Sequence, residues 1–139
     1  MFRNRGAADC AGFGGVKKTG RIGMVTVSGN HKDTATVVFV TVYAQQSGLD
    51  DTEWEKTVEE LEELLASPDL VKPGVIVVVG GDFNCHLGRR SKGVTHRQCV
   101  HKTPNARGEK LLDLMASVDY VAASTFFKQK GRGGSATHI

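Results

Sequence analysis

The stretch VIVVVGGDFN, residues Val75 to Asn84, constrains this chain more than any other. Pro73 and Gly74 precede an unbroken apolar run, and Gly80 and Gly81 follow it. The segment is too short for a helix, and its valines and isoleucine favour extended backbone. A run that never alternates implies a strand, Val75 to Val79, buried on both faces. At its end stand Asp82 and Asn84, with Phe83 between them. Side chains alternate along an extended chain, so Asp82 and Asn84 are expected on one side and Phe83 on the other. Phe83 can then be buried while its neighbours look into a cleft. Gly80 and Gly81 allow another backbone or a ligand to come close.

Two readings of Asp82 and Asn84 stand side by side. A carboxylate can orient or deprotonate a water, and an amide can donate to a phosphate oxygen without adding negative charge. Together they suit hydrolysis of a phosphate ester. Alternatively, they form a polar turn in which one of them bonds its own backbone.

The remaining chain predicts an α/β fold, because strands and helices succeed one another. Residues 1–20 are glycine-rich and loop-like, and residues 21–139 form the domain. Ile22 to Val27 and Thr36 to Ala44 read as strands, naturally antiparallel. A helix begins at Thr52, with Thr52 and Glu55 at capping-box spacing and Trp54, Val58, Leu61 and Leu64 as its apolar stripe. Pro68 marks its stop. Residues 85–104 are a basic loop. Asn105 caps a further helix whose buried stripe is Leu111, Leu112, Met115 and Val118. DYVAAST, from Asp119, reads as a short strand, and KQKGRGGS after it as a loop or hairpin tip.

Charge is unevenly distributed. Residues 50–69 hold nine of the 15 acids and one base, Lys56. The remainder carries 17 Lys and Arg against six acids, a balance that suits a polyanionic partner but also an ordinary protein with one acidic helix face. No apolar run approaches the roughly 18 residues of a membrane helix, and the N-terminus lacks the apolar core of a secretory signal. Cys10, Cys85 and Cys99 are too few and scattered for a disulfide framework, so an intracellular site, nuclear or cytoplasmic, is expected.

GGDFN after a hydrophobic strand resembles the signature of the endonuclease/exonuclease/phosphatase superfamily. VTVYAQQSG upstream resembles the strand that brings a tyrosine into that family's active site. NARGEKLLDLMASVDYVAASTFF downstream resembles the helix and strand after the signature in endonuclease domains of non-LTR retrotransposons and their domesticated, craniofacial-development-protein-2-like relatives. The resemblance covers roughly Gly20 to the end. It implies a four-layered α/β/β/α sandwich of mixed sheets, present here in part, and Mg²⁺- or Mn²⁺-dependent phosphodiester hydrolysis. By matching position Asp82 would activate or orient the water, Asn84 hold the scissile phosphate and Tyr43 hydrogen-bond it. Thr137 would lie near the site, with DNA the favoured nucleic acid. Apart from the resemblance, Arg89 and Arg107 belong to the basic cluster that closely follows the motif and are expected to contact substrate phosphates.

Two elements of the family pattern are missing. The family's metal-binding glutamate precedes the tyrosine strand, yet the first 52 residues contain no glutamate. The family's Asp–His pair would follow Ile139. A positioned general base contributes about 10²–10⁴-fold, and the rest of a phosphoryl-transfer barrier falls to metal and cationic groups. The sequence therefore predicts a truncated, weakly active or inactive copy. The alternative is a non-catalytic basic module, binding nucleic acid or a protein partner, on a degenerate version of the same fold. Cys85, His86, His96, Cys99 and His101 share the basic loop, but they lack a paired C-x₂-C knuckle, so zinc is not favoured.

Overall fold

A computed structural model describes residues 20–28 and 35–127 of the chain. Their order is β1 (Ile22–Val27), β2 (Thr36–Tyr43), α1 (Thr52–Leu65), α2 (Pro68–Val71), β3 (Val75–Asp82), α3 (Ala106–Ser117) and a 3₁₀ turn (Ala123–Thr125). The class is α/β, with a small mixed sheet of three strands. Among the described residues no helix is long and apolar enough to cross a membrane. The chain divides into two compact units, Met1–Tyr43 with Glu59–Gly81, and Ala44–Val58 with Asp82–Ile139.

The first unit carries the sheet, in the order β1-β2-β3. β1 and β2 are antiparallel, with Ile22 opposite Val42 and Val27 opposite Val37. β3 runs parallel to β2. The Thr36 N–H at the start of β2 donates to the Gly74 carbonyl just before β3 (2.9 Å), and Val42 near the end of β2 lies against Gly81 near the end of β3. That last approach requires glycine. Gly81 has φ +146°, and a β-carbon there would stand 1.9 Å from the Val42 carbonyl oxygen.

One face of β2 is closed, with Val38, Val40 and Val42 each 2% exposed. Leu61, Leu65 and Leu70 are buried in the same unit, each contributing about 1.5–3 kcal/mol by leaving water. The opposite face is open and largely apolar, carrying Val25, Val27, Phe39, Tyr43, Ile76 and Val78. This corrects the expectation that β3 is buried on both faces. Ile76 and Val78 are 53% and 45% exposed, while Val75, Val77 and Val79 are half-buried. An unbroken apolar run shows that both faces avoid water, but not that this chain covers them.

The second unit has less regular structure and more polar anchoring. The start of α1 departs from the expected capping box. Asp50 Oδ1 accepts from the Thr52 N–H (3.1 Å) and the Thr52 hydroxyl (2.8 Å), and these bonds hold the Asp50 carboxyl below its ordinary range. Thr52 is already helical, and the Glu55 N–H donates to the Asp51 carbonyl (2.8 Å) rather than to the Thr52 hydroxyl. In the first unit, Pro68 does more than mark a stop. It opens α2, where its missing N–H costs nothing. Asn105 caps α3 as expected, accepting from the Gly108 N–H at 2.8 Å. The predicted strand from Asp119 does not form. Asp119 turns left-handed at φ +58°, the Ala122 N–H bonds Val94, and the 3₁₀ turn follows.

Candidate functional site

Asp82 is the last residue of β3, and the extended backbone ends there. Its carbonyl accepts from the Ala44 N–H at 2.8 Å. Its Oδ1 accepts from the Asn84 N–H at 3.0 Å, closing an Asx turn. Asn84 sits at φ +48°, a left-handed conformation that asparagine tolerates better than most residues. Its Nδ2 donates to the Ala44 carbonyl at 3.0 Å. The backbone of Ala44 is thus bracketed by Asp82 on one side and Asn84 on the other. Phe83 is buried, 4% exposed, and both polar neighbours are half-buried, but Asn84 is left-handed, so the alternation expected of an extended chain does not reach it.

The polar-turn bonds are present, and they leave functional groups over. The second carboxylate oxygen of Asp82 and one amide hydrogen of Asn84 take no part in them. The turn is also fixed from behind, because the buried Trp54 indole N–H donates to the Phe83 carbonyl at 2.8 Å. A carboxylate and an amide held by backbone bonds need little further ordering to meet a ligand.

Arg107 lies elsewhere in the same unit and is buried. Its Nε donates to Asp51 Oδ1 (2.7 Å), its Nη1 donates to the Gln45 carbonyl (2.7 Å), and its guanidinium stacks 5.4 Å from the Trp54 ring centre. Its fork therefore holds the loop from Gln45 to Asp51. Arg89 is exposed, but its guanidinium also serves the backbone, donating to the carbonyls of Cys99 (2.6 Å) and Val100 (3.4 Å). Tyr43 ends β2 in the first unit, 53% exposed on the open face. Thr137 lies outside the described residues. The structure thus brings Asp82 and Asn84 together and gives Arg107 a positioning task.

Trp54 and Ala44 were not among the predicted site residues. Trp54 stood in the predicted stripe of α1, but nothing in the spacing assigns its N–H to a strand-end carbonyl 29 residues away. Ala44 contributes only backbone, to which side-chain patterns are blind.

The five Cys and His residues of the basic loop do not converge. The Cys99 thiol donates to the Leu87 carbonyl at 2.7 Å, His96 stacks on Phe126, and His86 stacks on His101. Burial pushes the Cys85 thiol up to about 12, so it stays protonated and is no nucleophile at neutral pH. Among the described residues no three His, Cys, Asp or Glu side chains form a metal-holding group. A hard divalent ion can nevertheless be held by one carboxylate plus substrate oxygens, and Asp82 offers that carboxylate.

Comparison with protein-family models, with curated proteins and with solved structures found no match.

Proposed function

We propose that this chain carries part of a metal-dependent phosphodiester hydrolase domain of endonuclease type, weakly active or inactive as it stands, with nucleic acid, DNA foremost, as substrate. The observation that carries the reading is the rigid pair at the end of β3. Asp82 closes, and Asn84 follows, the carboxyl end of a strand that has a parallel neighbour, the place where open α/β sheets bind ligands. Asp82 would orient and deprotonate water through the oxygen left over from the Asx turn. Asn84 would donate its remaining amide hydrogen to the phosphate. Tyr43, Thr137 and Arg89 complete the proposed substrate contacts, and Arg107 serves by holding the loop after β2. Mg²⁺ or Mn²⁺, when bound, would neutralise developing phosphate charge.

The fold proposal is the four-layered sandwich, of which the sheet unit would be one half. The open apolar face supports it, since a second sheet packs on such a face about 10 Å away.

Nicking of supercoiled plasmid by the full chain in Mg²⁺ or Mn²⁺ tests the activity. Asp82→Asn keeps an acceptor for the Asn84 N–H while removing the base. Nicking should fall at least about 10²-fold in this variant. Undiminished nicking would overturn the assignment.

A second reading draws on the bonds themselves. Asp82 Oδ1 and Asn84 Nδ2 have structural partners, as a non-catalytic turn requires. Salt-dependent binding of nucleic acid that neither Mg²⁺ nor Asp82→Asn alters, with no nicking in either metal, would favour that basic binding module.

A further inference from the structure

His86 and His101 have no part in the proposed chemistry, yet they form the most regular side-chain pair in the basic loop. Their rings stack with centroids 3.7 Å apart and planes within 9°. Among the described residues neither imidazole makes a side-chain hydrogen bond. Burial and the neighbouring His86 both hold His101 below its ordinary range.

The scaffold beneath the pair is pinned on both sides. The His86 N–H donates to Asn105 Oδ1 (3.1 Å), and the His86 carbonyl accepts from the Asn105 N–H (3.1 Å). The cap of α3 therefore grips His86 by its backbone. Only glycine fits at position 108, where a β-carbon would stand 1.9 Å from the His86 carbonyl oxygen. On the other side, Arg89 bonds the carbonyls of Cys99 and Val100, and its N–H donates to the Lys102 carbonyl (3.3 Å). Those bonds bracket His101 in the chain.

Along the stretch of chain that carries this pair the charge has one sign. No acid occurs between Asp82 and Glu109. Within that stretch Arg107 is buried on Asp51 and Lys92 is paired with Glu109 and Asp113. Arg89, Arg90, Arg97 and Lys102 are exposed, and so is His86.

We propose that the stacked His86–His101 pair is a platform for an unpaired base of single-stranded nucleic acid, with Arg90, Lys102 and their basic neighbours taking the flanking phosphates. A ring already backed by a second ring, and fixed through backbone bonds, presents a flat face at little ordering cost. Every base has a π-face, so the platform is tolerant of sequence. The ring nitrogens remain for hydrogen bonds to a base edge. The proposal rests on the nucleic-acid reading of this chain but not on catalysis.

Fluorescence anisotropy on the full chain, in chelator, separates the two. The probes are a short oligothymidylate and a fully abasic strand of equal length and charge. Wild type should bind the base-bearing strand about tenfold more tightly, as one stacking contact provides. His86→Ala with His101→Ala should abolish this preference and leave the abasic affinity unchanged. His86→Phe should retain it. A second readout uses wild type alone: the ring protons of His86 and His101 should shift upfield with oligothymidylate and not with the abasic strand. Equal binding of both strands by wild type, absent ring shifts, or a preference that survives the double substitution would overturn the platform. Failure to nick DNA would leave all of these readouts intact.

Discussion

In the sheet unit, order comes from alternation. Val38, Val40 and Val42 are buried while Phe39 and Tyr43, one residue along, are exposed. In the second unit little alternates, and order comes from polar side chains tied to backbone. Trp54 holds Phe83, Arg107 holds Gln45 and Asp51, and Asn105 holds both His86 and Gly108. The first kind of order leaves a second face free to stay apolar. The second kind fixes irregular loops in definite positions, which is what a strand-end carboxylate and amide require. Candidate chemistry accordingly gathers where the backbone is irregular and bracketed by polar side chains.

Three measurements would break or sharpen this contrast. The largest effect is expected at Gly81. Gly81→Ala drives a β-carbon into backbone, where no flexible side chain can yield, and strains a positive φ as well. A loss on the order of 4 kcal/mol is expected in urea unfolding. A loss below about 1 kcal/mol would mean that β2 and β3 do not approach as described.

Next is Arg107. Arg107→Met removes the donors to Asp51 and Gln45 while keeping bulk over Trp54, and should cost about 1–3 kcal/mol. Arg107→Lys should recover only part of this, because an ammonium cannot reproduce the fork. Hydrogen exchange should quicken in the loop from Gln45 to Asp51 and leave β1 and β2 unchanged. Equal quickening in both units would erase the distinction between them.

The smallest stability effect is expected on the open face. Phe39→Thr or Ile76→Thr should change stability by no more than about 0.5 kcal/mol, since both side chains are about half exposed and threonine keeps strand propensity. Val38→Thr on the closed face should cost several-fold more. Light scattering should show less self-association for the open-face variants. A large loss at Ile76 would show that the face is covered in solution.

Much of the fold was legible because its signals are local. The bounds of β1 follow from an alternating run between glycines, and the Asn105 cap follows from residue type and spacing. The errors share a cause as well. Asp50 displaced the Thr52–Glu55 box because two acceptors lay within reach of one helix start, and spacing does not choose between them. The expected strand from Asp119 had suitable residues but no strand edge to join, since Ala122 is engaged by the loop at Val94. At the site, the residue types of Asp82 and Asn84 were readable, as was the burial of Phe83. The task of Arg107 was not, because a basic residue in a basic loop reads as exposed until its buried partners are placed around it.

The succession of β1, β2, α1, β3 and α3, the apolar character of both sheet faces and the pairing of an acid with an amide at a strand end follow from the sequence alone. Each depends on neighbours a few residues apart, whose spacing the covalent chain sets. Tertiary structure alone decided which sheet face is closed, that the Asn84 amide Nδ2 is engaged by the Ala44 carbonyl, where Arg107 places its fork, and that His86 and His101 stack. Those outcomes join residues distant in the chain. A hydrogen bond or ring contact of that kind forms only when the whole fold has set both partners within a few ångströms and at a suitable angle.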